Sequence, residues 1–155
     1  MNAYLVQHGE ARPKEQDPER SLTEKGLSEV KKTASFIARY KKAKIDYIVH
    51  SGKKRALQTA EAFAEALAPP GGVRQEKELE PLSTPWGWVE RLADTEENVT
   101  MVGHLPHLKR LATLLLCQDE SKQVIEFHYG CVVCLFKNES GIWTLQWMVI
   151  PDLVP

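Results

Sequence analysis

The chain has 155 residues, enough for one domain whose core needs no disulfide support. Apolar residues make up 43% and charged residues 26%, the balance of a globular protein rather than of a disordered or membrane-spanning one. The 20 Lys and Arg against 21 Asp and Glu leave a net charge of −1, which excludes a surface built for bulk binding to nucleic acid or anionic membrane but leaves room for a local charged pocket.

Ala3–Gln7 reads as a buried strand ending at His8–Gly9. Arg12–Ser21 is polar, holds Pro13 and Pro18, and reads as a loop. From Thr23, a plausible N-cap, the spacing of Leu27, Val30, Ala34, Ile37 and Lys41 predicts a helix. Asp46–His50 is the next strand. Ser51 then offers an N-cap for a second helix with Leu57, Ala60, Phe63, Ala64 and Leu67 on its apolar face. Pro69–Gly72 stops that helix, and Val73–Glu78 reads as a short edge strand. Thr84–Pro85 opens a third helix whose apolar face is Trp86, Val89 and Leu92 or Ala93, with Trp86 and Trp88 as candidates for a cleft wall. Asn98–Val102 is a strand ending at Gly103–His104, and Leu108, Leu111, Ala112 and Leu115 mark a fourth helix. Cys131–Phe136 and Ile142–Val149 flank Asn138–Gly141 and predict a β-hairpin, with Trp143 and Trp147 on one face.

This alternation predicts an α/β fold: three layers, a mostly parallel central sheet and an antiparallel C-terminal hairpin. Pro69–Gly72 is not taken as a domain boundary, because each half would have a marginal core. No run nears the ~20 apolar residues a bilayer span requires. The odd count of 3 cysteines carries no disulfide pattern, so a cytoplasmic location is expected. Cys131 and Cys134 form a C-x-x-C, but on a strand pattern they point to opposite faces and read as small buried hydrophobes rather than a redox pair. His50, His104, His107 and His128 lack the spacing of a metal site, and His107 reads as a surface or first-turn histidine.

In such sheets ligands bind at the carboxyl ends of the strands. Gln7–His8–Gly9, the segment from Ser51 to Arg55, and Gly103–His104 all fall at such ends. A lone histidine or a lone helix arginine carries no role by itself. Together, two imidazoles and a guanidinium beside helix starts make a small cationic pocket suited to a phosphoryl group, with one imidazole able to attack phosphorus. Gly9 would let backbone N–H groups approach the ligand.

The stretches Val6–Glu10 (VQHGE), Leu22–Gly26 (LTEKG), Ser51–Thr59 (SGKKRALQT) and Val102–Pro106 (VGHLP) resemble, in order and spacing, the histidine phosphatase superfamily with its phosphoglycerate-mutase-like fold. The small size and the Asp17–Thr23 segment look most like its SixA phosphohistidine phosphatase branch. The resemblance implies that His8 is the nucleophile that becomes phosphorylated, that Arg55 and His104 hold the phosphoryl oxygens, and that water hydrolyses the intermediate without a metal or other cofactor. Gln7, Gly9, Arg20 and Ser51 complete the expected phosphate-binding set.

One position departs from the family, which has Arg-His-Gly where this chain has Gln7–His8–Gly9. Glutamine keeps two N–H donors and loses the charge and the fork. Arg20 would replace that cation if the Arg12–Ser21 loop folds over the pocket. Glu78 and Glu80 are the candidate proton donors. The expected substrate is a phosphohistidine-bearing protein domain, or else a small phosphate compound. A non-catalytic phosphate or phosphoprotein binder is the alternative that Gln7 motivates. A monomer is expected, as is a shallow, open cleft.

Overall fold

The structure is a computed structural model that describes all of residues 1–155. Its centre is a six-stranded sheet in the order β3-β2-β4-β1-β5-β6. Strands β1 (Asn2–Gln7), β2 (Tyr47–His50), β3 (Val73–Gln75) and β4 (Val99–Gly103) are parallel, and β5 (Val132–Lys137) and β6 (Trp143–Val149) form an antiparallel hairpin laid against β1. The predicted architecture is therefore the observed one. A central strand covered on both faces needs a continuous apolar run, and Ala3, Tyr4, Leu5 and Val6 supply it.

The run splits by parity. Ala3 and Leu5 join Met101, Val133 and Leu135 in a core under helices α3 (Trp86–Asp94) and α4 (His107–Cys117). Tyr4 and Val6 join Ile48, Val102 and Val132 in a second core under α1 (Glu24–Phe36) and α2 (Lys54–Leu67). Cys131 falls in the first core and Cys134 in the second, both free thiols, as strand alternation requires. No helix is long and apolar enough to cross a membrane.

Thr23 caps α1 as predicted, its hydroxyl accepting from the Gly26 N–H at 2.9 Å. Five further residues, Ile37–Lys41, continue the helix as a π-helical turn. Several local expectations fail for identifiable reasons. Ser51 does not cap α2; the helix starts after Lys53 without a side-chain cap, because the Ser51 hydroxyl is engaged elsewhere. The buried face of α2 runs through Ala56, Thr59, Ala60 and Phe63, rotated from the predicted one by the small residues that let α1 approach. Only Val73–Gln75 pairs as the edge strand. The chain then coils through Lys77–Leu79 to bury Leu79 completely. Trp88, at 2% exposure, packs in the core beside Leu92 and is no cleft wall, while Trp86 is half-exposed.

Trp143 and Trp147 also part company. A bulge breaks the β5–β6 register, so Cys134 faces Trp147 while Leu135 faces Leu145. The extra residue reverses the alternation. Trp143 therefore packs on the α3–α4 core and Trp147 on the α1–α2 core. At the far end of β5, the buried Lys137 ammonium donates to the carbonyls of Leu92, Ala93 and Thr95 at 3.0, 2.9 and 2.8 Å and pairs with Glu96 at 3.3 Å, closing the C-terminal end of α3.

Candidate active site

Register brings the candidate residues together. Val6 and His50 both pair with Val102 of β4, and Gln7 pairs with Gly103, so β1, β2 and β4 end side by side. The chain leaves these ends as His8, Ser51 and His104. The His8 N–H donates to the Gly103 carbonyl at 3.1 Å, extending the ladder by one bond. Arg55, in the first turn of α2, projects across the same end, with Nε 3.3 Å from His8 Nε2. The His8 and His104 rings lie 4.9 Å apart, centre to centre.

The hydrogen bonds fix the tautomer of His8. Nδ1 lies 2.7 Å from the Gly9 carbonyl oxygen, which can only accept, so Nδ1 carries the hydrogen and Nε2 presents its lone pair toward Arg55. Burial pushes the His8 pKa down to about 4; the Gly9 carbonyl opposes this, and the Arg55 and Arg20 guanidiniums add to it. His104 is lowered to about 2, first by burial and then by the charges of His8 and Arg55. Both imidazoles are therefore neutral near pH 7. The pocket's positive charge comes from guanidinium groups, not from the histidines as the sequence suggested.

His104 Nε2 lies 2.6 Å from Ser51 Oγ, while its Nδ1 is buried without a partner. Ser51 thus orients His104 instead of standing free for a ligand. Gly9 also differs from expectation. Its N–H is taken by Thr59 Oγ1 at 3.1 Å, and a β-carbon there would fall 2.7 Å from Val30 Cγ2 and 2.9 Å from the Gly26 carbonyl. Its lack of a side chain serves the packing of β1 against α1, not ligand approach. Gly26 is the other half of that contact: a β-carbon on it would overlap the Glu10 carbonyl oxygen.

Gln7 is buried at the end of β1, and its Oε1 has no hydrogen-bond partner. Arg20 adopts a left-handed φ of +54°, its Nε donating to the Arg12 carbonyl at 3.3 Å. The loop that holds it is closed by the Ala11–Leu22 bridge and by Asp17, which accepts from the Ser21 and Glu19 N–H groups at 3.0 Å each. Arg20 lines the same depression as Arg55, and its charge adds to the lowering of the His8 and Arg55 pKa values.

Glu78 is half-exposed and pairs with Arg91 Nη2 of α3 at 3.0 Å. Glu80 ends the Lys77–Leu79 turn, half-buried and without an ion pair. His107 is not a surface residue: it is fully buried at the start of α4, and burial lowers its pKa to about 4.

Two residues had no role in the sequence reading. Thr59 holds the Gly9 N–H, and its place in the SGKKRALQT stretch was the available signal. Tyr129 brings its half-exposed ring within 5.5 Å of the His8 ring. It sits on a turn whose Gly130, at φ +71°, donates to the carbonyls of Gln7 and His8 at 3.1 and 3.2 Å. Nothing in sequence places the start of β5 beside the end of β1.

Comparison with known proteins places this geometry. No curated protein sequence matches the chain. Among solved structures, the protein histidine phosphatase SixA complexed with tungstate superposes with a TM-score of 0.85 at 24% identity over 98% of each chain. A structure assigned to phosphohistidine phosphatase SixA from Agrobacterium tumefaciens gives 0.74 at 23% identity, over 96% of this chain and 97% of that one. Phosphoglycerate mutase from Plasmodium falciparum gives 0.69 at 17%, over 94% and 88%. At these identities the likeness carries the fold, which is phosphoglycerate-mutase-like. The sequence model of the histidine phosphatase superfamily (branch 1) matches residues 3–83, a stretch that runs from β1 through His8, Arg20, Ser51 and Arg55. Since that match takes in more than half of the chain, and the fold it entails is the one seen here, this chain belongs to the histidine phosphatase superfamily.

Proposed function

We propose that this chain is a single-domain phosphatase that hydrolyses phosphohistidine on a protein partner. The observation that carries the reading is the fixed tautomer of His8, with an unprotonated Nε2 whose lone pair accepts from Arg55 Nε at the carboxyl end of the sheet. Nε2 attacks phosphorus while the N–P bond of the substrate breaks, and the bonding pair leaves with the substrate imidazole. The phosphoryl group is then carried on His8 until a water oxygen displaces it as inorganic phosphate, returning the pair to Nε2. Arg55 and His104 hold the equatorial oxygens, with Arg20 adding charge from the loop. His8 hydrogen-bonds to the Gly9 carbonyl and to Arg55 and to no carboxyl group, which favours a leaving group that departs without a dedicated acid. Phosphohistidine has such a leaving group and an alkyl phosphate does not.

The test compares phosphoramidate, an aryl phosphate and a sugar phosphate. The first two are expected to turn over faster, with His8→Ala slowing turnover at least ~10³-fold and labelled phosphate trapped on His8. Faster turnover of the sugar phosphate would indicate a small-molecule phosphomonoesterase. The buried, neutral Gln7 motivates a second reading, a phosphate-binding module. Vanadate binding with no His8-dependent turnover would favour it.

A further inference from the structure

Beside the candidate site lies an open depression of about 720 Å³, bounded by the Lys14–Arg20 loop on one side and by Gly52–Arg55 with Leu57 on the other. Five cations line it, Lys14, Arg20, Lys53, Lys54 and Arg55, and the one carboxylate among its walls is Glu19. That is a net formal charge of +4 on a molecule whose total is −1. Arg20 and Arg55 belong to the phosphoryl end, where two positive charges match a phosphoryl dianion. Lys14, Lys53 and Lys54 less Glu19 leave a surplus of +2 that the phosphoryl group does not use. The space also far exceeds what one phosphoryl group fills.

The surplus sits on a built surface. The loop is closed by the Ala11–Leu22 bridge, and Glu19 reaches across the depression to Lys54 on α2 at 2.8 Å. That pair is exposed, with side chains 69% and 41% accessible, so an incoming carboxylate can take the place of Glu19 on Lys54.

We infer that this depression receives an acidic segment of the phosphoprotein substrate, with Asp or Glu side chains beside the phosphorylated histidine lying on Lys14, Lys53 and Lys54. The inference rests on the proposed function, since it takes the phosphoryl group to be bound at His8, Arg55 and His104. Charge complementarity selects an acidic occupant. The open, polar form of the depression suits a peptide on a protein surface better than an enclosed metabolite.

The test uses two synthetic peptides carrying a non-hydrolysable phosphonate analogue of phosphohistidine, one flanked by aspartates and one by serines. Binding to the full chain is measured by calorimetry at two salt concentrations. Two or three exposed charge pairs predict about five- to tenfold tighter binding of the acidic peptide at low salt, shrinking as salt rises. Lys14→Ala with Lys54→Ala removes most of that preference and leaves the serine peptide within about twofold. Glu19→Gln, which frees Lys54, tightens the acidic peptide further. Equal affinities for the two peptides, or a preference that survives the double substitution, overturn the inference. So does a preference of the depression's lysines for a small bisphosphate over the acidic peptide. Because this readout is binding, absence of His8-dependent turnover would defeat the proposed phosphatase activity and leave the docking result to stand or fall separately.

Discussion

At the amino end of β1, Lys137 is 5% exposed, gives its protons to three carbonyls and forms an ion pair with the Glu96 carboxylate. At the carboxyl end, Gln7, His8 and His104 are as deeply buried, yet Gln7 Oε1 and His104 Nδ1 have no partner, and Arg55 faces an imidazole lone pair instead of a carboxylate. The two ends share one sheet and similar burial. They differ in whether the polar valences are closed. A buried ammonium with every donor taken serves stability, since removing it exposes the carbonyls it satisfies. His104 Nδ1 and Gln7 Oε1, buried without partners, carry a desolvation penalty that no group of the chain offsets. Burial alone therefore does not separate the two ends, and neither does unmet hydrogen-bonding capacity by itself, since Trp88 Nε1, Thr100 Oγ1 and both His107 nitrogens are also buried without partners; what sets the carboxyl end apart is that such groups meet a guanidinium there.

The comparison breaks most readily at Lys137. Lys137→Met leaves the last carbonyls of α3 without a donor and is expected to cost about 3 kcal/mol in denaturant unfolding. Turnover per folded molecule should not change. Lost turnover at unchanged stability would put the functional end of the sheet in the wrong place. Gln7→Arg acts at the opposite end. Restoring a positioned, charged donor is expected to raise kcat by about 10²–10³ with no gain in stability. Unchanged kcat would show that Arg55 and Arg20 already supply that charge.

Acid titration sharpens the contrast further. His8, His104 and His107 have folded-state pKa values below the ordinary 6.5, so the unfolded chain binds protons first. Their contribution to stability is complete above about pH 6.5 and is lost as pH falls toward about 4 for His8 and His107 and toward about 2 for His104, each histidine adding up to about 1.4 kcal/mol per pH unit. Lys137→Met should lower that curve without changing its slope. Turnover should hold at mildly acidic pH and fall as His8 protonates near pH 4, read as the acid limb of kcat/KM. Arg20→Ala is the smallest expected change, about a tenfold loss in kcat/KM. The His8 pKa should move upward in an NMR titration, because one depressing charge is gone. An unmoved His8 would detach the loop from the site.

Much of this was legible in the chain. The four helices, the strand ends and the meeting of His8, Arg55 and His104 follow from periodicity and from the rule that parallel strands deliver their C-terminal residues to one edge. What was not legible depended on contacts between distant segments. The bulge in β6 that separates Trp143 from Trp147 has no local signature. Leu79 ends in the core because the edge strand stops early. Tyr129 reaches His8 only because an antiparallel strand lies beside β1. The charge state of the histidines was hidden for the same reason, since desolvation depends on everything packed around a group. Gly9 was assigned to ligand approach because its neighbour is chemical, whereas Thr59, 50 residues on, decides its use.

The mutual seat of Gly9 and Gly26 has a consequence for how such chains are read. Both glycines belong to stretches by which the family is recognised, yet in this structure what requires them is the close approach of β1 and α1, with Glu10 between. The recognisable signature is in part a description of how the histidine is seated, which is distinct from what it reacts with. Gln7 shows that separation in a single step: the seat at Gly9 is intact two residues away from a changed charge. A match to those stretches therefore reports that the histidine is seated, and leaves the charge beside it to be read separately.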